Sequence, residues 1–311
     1  MKTELRTLTF SEKESICERE FEMSGPFWHL YTDGRKMQDM FLTDRIFELA
    51  ETLLAVSCCR HPQVKVVTFE LMTNHLHIIA SGQRTECLNL FNDYKTRLQR
   101  VLKKAGVIIK WDSFEADIIP IETLKALRNE IIYVNRNAFV ANPSHTPSNY
   151  PWGGGYAYFC PLIKHVDAIE FEKLTYDKKR QVAHCRDISG LGKLRLKDKL
   201  GVLVTSFCDI SLGERMFPDA RSYFNSLTRN SEAFSLIAER LKDSVFLTDE
   251  ELFHAAVNYA ESKFGTKSVI MLGPDQKIML AKELHFRYRA TNQQIRRITR
   301  LDIQILNEMF P

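Results

Sequence analysis

Residues 64–80 constrain the fold of this chain more than any other stretch. Residues 64–71 alternate apolar and polar side chains as a half-buried β-strand does, and residues 75–80 have the composition of a second strand. Only Met72-Thr73-Asn74 separates the two, and this tripeptide suits a turn. The stretch therefore predicts two strands joined by a turn, and with them a β-sheet.

The neighbouring segments predict that helices accompany this sheet. Residues 27–32 follow Gly25-Pro26 and are rich in aromatic residues, which favours a strand, and residues 107–110 and 116–121 are candidates for a fourth strand. Apolar residues at helical spacing predict helices at 44–56, 88–104 and 122–139. This mixture predicts an α+β domain.

Three regions follow from the composition along the chain. Prolines and glycines at 142–161 cannot continue the last helix, so they predict an ordered loop that closes a domain spanning residues 1–160. Residues 161–200 are predicted to form a basic connector. Residues 201–311 are predicted to be a helical accessory region, because helical periodicity recurs at 218–228, 231–242, 248–264 and 277–310.

The overall composition excludes several classes of protein. Hydrophobic residues make up 44% and charged residues 26% of the 311 residues, which excludes disordered and collagen-like chains. No apolar run is long enough to span a membrane, and the first residues are too polar for a signal peptide. The seven cysteines include no CxxC pair. We expect a cytoplasmic protein with no membrane partner.

Positive charge is concentrated in residues 83–110, 176–200 and 275–311. The first of these holds seven Lys and Arg against two acidic residues, whereas the whole chain has a net charge of only +4. Clustered positive charge is typical of nucleic-acid binding, and solvated helix faces give the same composition.

Two histidines lie two residues apart on a predicted strand. Side chains alternate along a strand, so His75 and His77 leave the same face, which is a spacing that metal ligands use. With nine histidines in the chain, such a pair also arises by chance. On the predicted helix at 122–139, Tyr133 and Asn137 are four residues apart and share a face that lies off the apolar stripe.

Three motifs in register make the first half of the chain similar to a known family. They are Met72-Thr73-Asn74-His75-Leu76-His77, Tyr133-Val134-x-x-Asn137 and Asn149-Tyr150-Pro151-Trp152. Residues 25–160 thereby resemble the single-tyrosine HUH (His-hydrophobic-His) transposases, and most of all the relatives associated with repetitive extragenic palindromes.

The resemblance implies a fold, a cofactor and a reaction. The implied fold is a ferredoxin-like antiparallel sheet with helices on one face. His75, His77 and Asn137 would hold a divalent metal ion, Mg²⁺ or Mn²⁺, although these ligand types do not exclude zinc. Tyr133 would be the nucleophile that cleaves single-stranded or hairpin DNA and forms a 5′-phosphotyrosine link. The resemblance also implies a homodimer.

The chain departs from the family pattern at several positions. Thr73 stands where many members have proline, and Gly153 and Gly154 stand where serines are common. Asn137 replaces the longer glutamine of other branches. His29 also coincides with a frequent histidine of the family, and a strand histidine with a hydrogen-bond partner is the simpler interpretation.

Basic and aromatic side chains are the candidates for DNA contact. The predicted contacts in the first domain lie on the long basic helix and on the closing loop, where Tyr150 and Tyr156 could also stack on bases: Lys95, Arg97, Arg100, Lys103, Lys104 and Trp152. A solvated helix and a packed aromatic loop are the alternatives.

The end of the chain, about residues 277–311, is similar to a helix-turn-helix. Thr291 or Asn292 can cap one helix and Asp302 the next, which predicts DNA contacts from Arg296, Arg297 and Arg300. Such motifs usually have glycine where Arg300 stands, and a positive φ there costs arginine about 1 kcal/mol. Dimerisation and packing are the alternatives.

The leading hypothesis is a metal-dependent enzyme that cleaves and transfers single-stranded DNA. One competitor is a domesticated DNA-binding regulator that keeps the fold without the reaction. Another is a zinc-dependent hydrolase that uses the same pair of histidines and has no need of Tyr133.

Overall fold

The structure is a computed structural model, and it describes residues 8–107, 109–137, 146–197, 201–229, 237, 240–241, 249–288 and 290–310. It divides into two compact units, Met1–Phe224 and Asn225–Pro311. The first unit therefore extends well beyond the domain end predicted near residue 160. Within the described ranges, no helix combines the length and the apolar character that a membrane crossing needs.

A four-stranded antiparallel sheet forms the centre of the first unit. The strands are β1 Phe27–Thr32, β2 Lys65–Leu71, β3 Leu76–Ser81 and β4 Ala116–Ile121. Their order in the sheet is β2-β3-β1-β4, and every neighbouring pair is antiparallel. The predicted α+β class is confirmed. Of the two candidates for the fourth strand, residues 116–121 form it.

Four helices accompany the sheet, and most of them begin at a side-chain cap. They are α1 Phe10–Ser24, α2 Asp44–Arg60, α3 Arg84–Lys104 and α4 Leu124–Arg136. Thr43 caps α2 and Thr123 caps α4, each by accepting a backbone N–H. Helix α1 was not predicted from the sequence, although Thr9 and Glu12 form a capping box at its start. Residues 138–139 of the last predicted helix lie outside the described residues.

Helices cover both faces of the sheet, whereas the resemblance implied helices on one face. Helix α4 lies over the face that carries His29 and His77, because the Glu130 carboxylate contacts His29. The opposite face carries Leu30 and Ile78, which are at most 1% exposed, and there α2 and α3 pack against each other and against the outer strands. Adjacent apolar residues such as Ile78 and Ile79 point to opposite faces, so both faces need cover.

The outer edge of β2 is covered by chain that returns from later in the sequence. The Leu71 N–H donates to Trp152 O at 2.9 Å, and the Gly154 N–H donates to Phe69 O at 2.8 Å. Further along the same edge, the Asp209 N–H donates to Val66 O at 2.7 Å. The predicted closing loop is thus an ordered edge segment over its described residues, 146–160.

The segment predicted to be a connector is folded into the first unit. Its described residues include the paired strands β5 Ile169–Glu170 and β6 Arg195–Leu196, with helix α5 Tyr176–Ala183 between them. Phe171, Leu194 and Leu196 are at most 1% exposed. Helices α6 Ile210–Arg215 and α7 Ala220–Arg229 follow.

The second unit is helical over its described residues, as predicted. Helices α8 Asp249–Phe264, α9 Pro274–Tyr288, α10 Asn292–Thr299 and α11 Ile303–Met309 surround a core that includes Leu280, Ile295 and Leu306. Thr291 caps α10 through a capping box with Gln294, and Asp302 caps α11. Most of the helix predicted at 231–242 lies outside the described residues.

Candidate active site

The two histidines of the predicted metal pair meet at the start of β3. The Met72 N–H donates to His75 O at 2.8 Å, which closes the turn directly before the strand. The imidazole centroids of His75 and His77 are 5.1 Å apart, and the rings are nearly perpendicular at 84°. The two side chains are 7% and 0% exposed. The alternation of side chains therefore brings both rings to one buried face.

Strand pairing places two further polar side chains beside His77. Tyr31 of β1 and Glu70 of β2 are its direct neighbours across the sheet, and the Tyr31 ring stacks on the His77 ring with centroids 6.2 Å apart. Glu70 is 1% exposed, and its Oε1 makes no hydrogen bond to any described residue. Burial raises the pKa of the Glu70 carboxyl well above its usual value, which favours the neutral acid.

Tyr133 belongs to α4, the helix that covers the face of the sheet on which these histidines lie. Its ring centroid is 5.7 Å from that of His77, at an interplanar angle of 87°, and 6.3 Å from that of His29. Only 2% of the Tyr133 side chain is exposed. Helix α4 contacts the sheet, α1 and the turn at residues 155–157, so residues off its apolar stripe are buried too. The structure thus brings together His75, His77 and Tyr133.

Asn137 is the C-cap residue of α4, one turn after Tyr133. Its backbone N–H donates to Val134 O at 3.1 Å, and the residue is 3% exposed. Its Nδ2 is buried and makes no hydrogen bond to any described residue. A buried amide N–H group is satisfied by a hydrogen-bond acceptor and not by a cation, so a metal ion would have to be bound by Asn137 Oδ1.

The donor set fits a divalent transition-metal ion better than a hard ion. Among the described residues, no three His, Cys, Asp and Glu side chains are grouped to hold a metal. A cation would therefore depend on two imidazoles, the Asn137 amide and water. Imidazole nitrogen suits Zn²⁺ and other late transition-metal ions, whereas Mg²⁺ and Mn²⁺ prefer oxygen ligands.

His29 joins the predicted metal pair to α4. Its Nε2 lies 3.0 Å from His77 Nδ1, and its Nδ1 lies 2.8 Å from Glu130 Oε2. All three side chains are buried, with His29 0% exposed. The simpler interpretation of His29, as a strand histidine with hydrogen-bond partners, therefore agrees with the geometry, and one partner is the predicted metal ligand itself.

A second polar contact holds α4 against β2. The Thr68 hydroxyl donates to Asn135 Oδ1, and Asn135 Nδ2 donates to the Tyr223 hydroxyl at 2.9 Å. Four of the residues around the site were not predicted from the sequence: Glu70, Glu130, Asn135 and Tyr223. For the first three, the available signal was a polar residue among the apolar positions of β2 and α4.

The predicted DNA-contacting residues of α3 differ in their surroundings. Lys95 forms an ion pair with Glu115, and Arg97 binds Asp93 through two hydrogen bonds of 2.7 and 3.0 Å. Lys103 is exposed. Arg100 and Lys104 are exposed and line a groove of about 1460 Å³ between α2, α3 and residues 177–187.

The lining of this groove is strongly basic. Seven of its residues are Arg or Lys, against three acidic residues. Arg60 pairs with Asp187 at 2.9 Å. Five of the groove cations form no ion pair with a described residue: Arg45, Arg100, Lys104, Arg180 and Arg186. The groove therefore carries positive charge that the protein itself does not neutralise.

The predicted stacking residues are packed into the first unit. The Trp152 ring stacks on Phe47 of α2, with centroids 5.5 Å apart. The Tyr150 hydroxyl donates to Leu71 O at 2.7 Å. These contacts agree with the alternative of a packed aromatic loop.

The predicted DNA-contacting residues of the second unit are all exposed; they are Arg296, Arg297 and Arg300.

Comparison of the chain with family models, curated proteins and solved structures finds no match in any of the three. The likeness to the single-tyrosine transposases therefore depends on the three sequence motifs.

Proposed function

We propose that this protein is a metal-dependent enzyme that cleaves and rejoins single-stranded DNA through a covalent link to Tyr133. The observation that carries the proposal is the convergence of His75, His77 and Tyr133 from two separate segments, with the His77 and Tyr133 rings 5.7 Å apart. The element order β1-α2-β2-β3-α3-β4 and the sheet order β2-β3-β1-β4 support a ferredoxin-like arrangement, as the resemblance implies.

The proposed reaction assigns a role to each side chain. His75, His77 and Asn137 would hold the divalent cation, which when bound supplies Lewis-acid polarisation of the scissile phosphate. The Tyr133 oxygen forms a bond to phosphorus, and the bond from phosphorus to the 3′ oxygen breaks. The phenol loses its proton to water, and the leaving 3′ oxygen takes up a proton. The products are a 5′-phosphotyrosine and a free 3′-hydroxyl.

The burial of Tyr133 sets a condition on this reaction. With 2% of the side chain exposed, a phosphate cannot reach the Tyr133 hydroxyl in the arrangement described. The enzyme therefore has to expose Tyr133 when DNA binds. The same burial favours a second candidate function, a DNA-binding regulator in which Tyr133 is a packing residue and no covalent link forms.

Covalent trapping separates these functions. The protein is incubated with labelled single-stranded hairpin oligonucleotides and Mn²⁺ or Mg²⁺, and the products are resolved on a denaturing gel. We expect a shifted band that requires the metal and disappears in Tyr133→Phe. Tyr94→Phe is the matched control, because the buried Tyr94 hydroxyl makes no hydrogen bond to a described residue and lies on α3.

Each outcome points to one function. An adduct that persists in Tyr133→Phe would rule out Tyr133 as the nucleophile. DNA binding without an adduct would favour the regulator. Metal-dependent turnover without an adduct, unaffected by Tyr133→Phe, would favour the zinc hydrolase.

A further inference from the structure

A chain of three buried side chains connects α4 to the proposed metal pair. It runs from Glu130 Oε2 to His29 Nδ1 at 2.8 Å, and from His29 Nε2 to His77 Nδ1 at 3.0 Å. His29 and His77 are 0% exposed and Glu130 is 2% exposed. Distances this short inside a protein require that each contact has one donor and one acceptor.

The charge states of Glu130 and His29 decide the direction of both hydrogen bonds, because either ring nitrogen can donate or accept. An ionised Glu130 can only accept, so His29 Nδ1 then carries a proton and donates it. When His29 is neutral, its Nε2 bears a lone pair and accepts from His77 Nδ1–H. With these charge states, the proton of His77 lies on Nδ1 and its lone pair on Nε2. A lone pair on a ring nitrogen is what a metal ion needs from histidine.

The same chain joins the proposed ligand to the proposed nucleophile. Glu130 and Tyr133 are three residues apart on α4, so they are neighbours on one helix surface. Glu130 contacts His29 on β1, while the Tyr133 ring lies 5.7 Å from His77 on β3. One helix therefore carries both the group that orients the histidine and the side chain that lies over it.

We propose that Glu130 and His29 are positioning residues that fix the tautomer and ring orientation of His77, so that His77 Nε2 faces the cation. This inference rests on the proposed metal site. Groups that hydrogen-bond to a metal-bound histidine orient the ring, and their loss typically lowers metal affinity by about 10- to 100-fold. Neither residue touches the DNA or the cation in this scheme.

The first test needs no substitution. In protein labelled with ¹⁵N-histidine and free of metal, nitrogen chemical shifts report which ring nitrogen of each histidine is protonated. The measurement is made at a pH where the imidazoles are neutral. We expect His77 and His29 both to carry the proton on Nδ1. A proton on Nε2 of His77 would overturn the inference without affecting the proposed nucleophile.

The second test measures metal affinity by calorimetry and by the absorption spectrum of bound Co²⁺. Glu130→Ala is expected to bind Co²⁺ about 10- to 100-fold more weakly than the unmodified protein. Glu130→Gln keeps an oxygen that accepts from His29, so it is expected to restore most of the affinity and the original spectrum. Glu51→Gln is the control, because Glu51 is also a buried glutamate, at 0% exposure, and lies on α2.

The outcomes distinguish the two proposals. If the unmodified protein binds no Co²⁺, the metal-dependent function fails. If it binds Co²⁺ and Glu130→Ala binds equally well, only the positioning role fails. If Glu130→Ala does not fold, the affinity of Glu130→Gln and the tautomer measurement still decide the question.

Discussion

At the scale of single residues, the turn between α10 and α11 requires an unusual backbone conformation at Arg300. It ends α10 in a left-handed conformation, with φ 61° and ψ 23°, where glycine is the ordinary choice. The flanking caps at Thr291 and Asp302 fix the chain on both sides, so the turn forms although the residue is not glycine. Arg300 therefore has the positive φ that was expected to destabilise the turn by about 1 kcal/mol.

We predict that Arg300→Gly stabilises α10 and α11 by about 0.5–1 kcal/mol, because glycine adopts a positive φ without steric cost. Arg296→Gly is the matched control, since it removes the same charge from within α10 and is expected to destabilise by about 1 kcal/mol. Hydrogen exchange of the α10 and α11 amides measures both. Equal effects of the two substitutions would show that the left-handed backbone carries no strain.

Gly153 and Gly154 illustrate a residue choice that the sequence alone did not explain. A Cβ on Gly153 would lie 2.0 Å from Glu70 Oε2, and one on Gly154 would lie 2.5 Å from Thr68 Oγ1. The returning chain runs so close to β2 that no side chain fits. The serines common in the resembling family would therefore clash with this sheet, although the positions appear in the sequence as an ordinary loop.

At the scale of elements, local periodicity explains what could be predicted. Alternation with period two placed His75 and His77 on one face, and the caps Thr291 and Asp302 marked helix starts, because these features depend on near neighbours in the sequence. The contact between His29 and His77 joins residues 48 positions apart. It depends on the register between β1 and β3 and on the rotation of α4, so no local pattern could predict it.

The groove between α2, α3 and α5 is where we expect the DNA backbone to bind. We predict that Arg100→Ala/Arg186→Ala weakens binding of hairpin DNA and lowers the slope of log affinity against log salt by about 1 for each arginine. Both cations lie in the groove without an ion pair to a described residue. Fluorescence anisotropy at several salt concentrations measures the slope.

The control removes two cations that do not line this groove. Lys95→Ala/Lys173→Ala removes the same amount of charge, but Lys95 pairs with Glu115 and Lys173 with Glu170. We expect a clearly smaller change in the slope. If both double variants lose the same affinity, binding depends on total charge and the groove has no special role.

At the scale of the whole molecule, the two compact units provide an internal comparison for metal binding. Ligands that bind only the folded state stabilise it by about 2.7 kcal/mol when their concentration is 100 times the dissociation constant. All the proposed ligands belong to the first unit. Stabilisation by a bound metal ion should therefore be confined to that unit.

We predict that Mn²⁺ or Zn²⁺ slows hydrogen exchange in β3 and α4 and leaves α8–α11 unchanged. Exchange of the full chain is followed by mass spectrometry with and without metal. His77→Ala should abolish the protection. Protection of both units to the same extent would indicate a non-specific effect of the ion, and protection that survives His77→Ala would place the metal elsewhere.

The chain that covers the edge of β2 protects this strand from pairing with other chains, which would lead to aggregation. Val66-Val67-Thr68-Phe69 is a sequence of high β-propensity, and a bare strand of this kind can pair with another chain. This edge is covered by residues 152–154 and by Asp209, which come far later in the sequence. The other edge strand is β4, and it contains Pro120, which has no N–H to donate to another strand. A shortened protein ending at residue 160 would lack the contact at Val66, so its aggregation would reflect an uncovered edge rather than an inability to form the sheet.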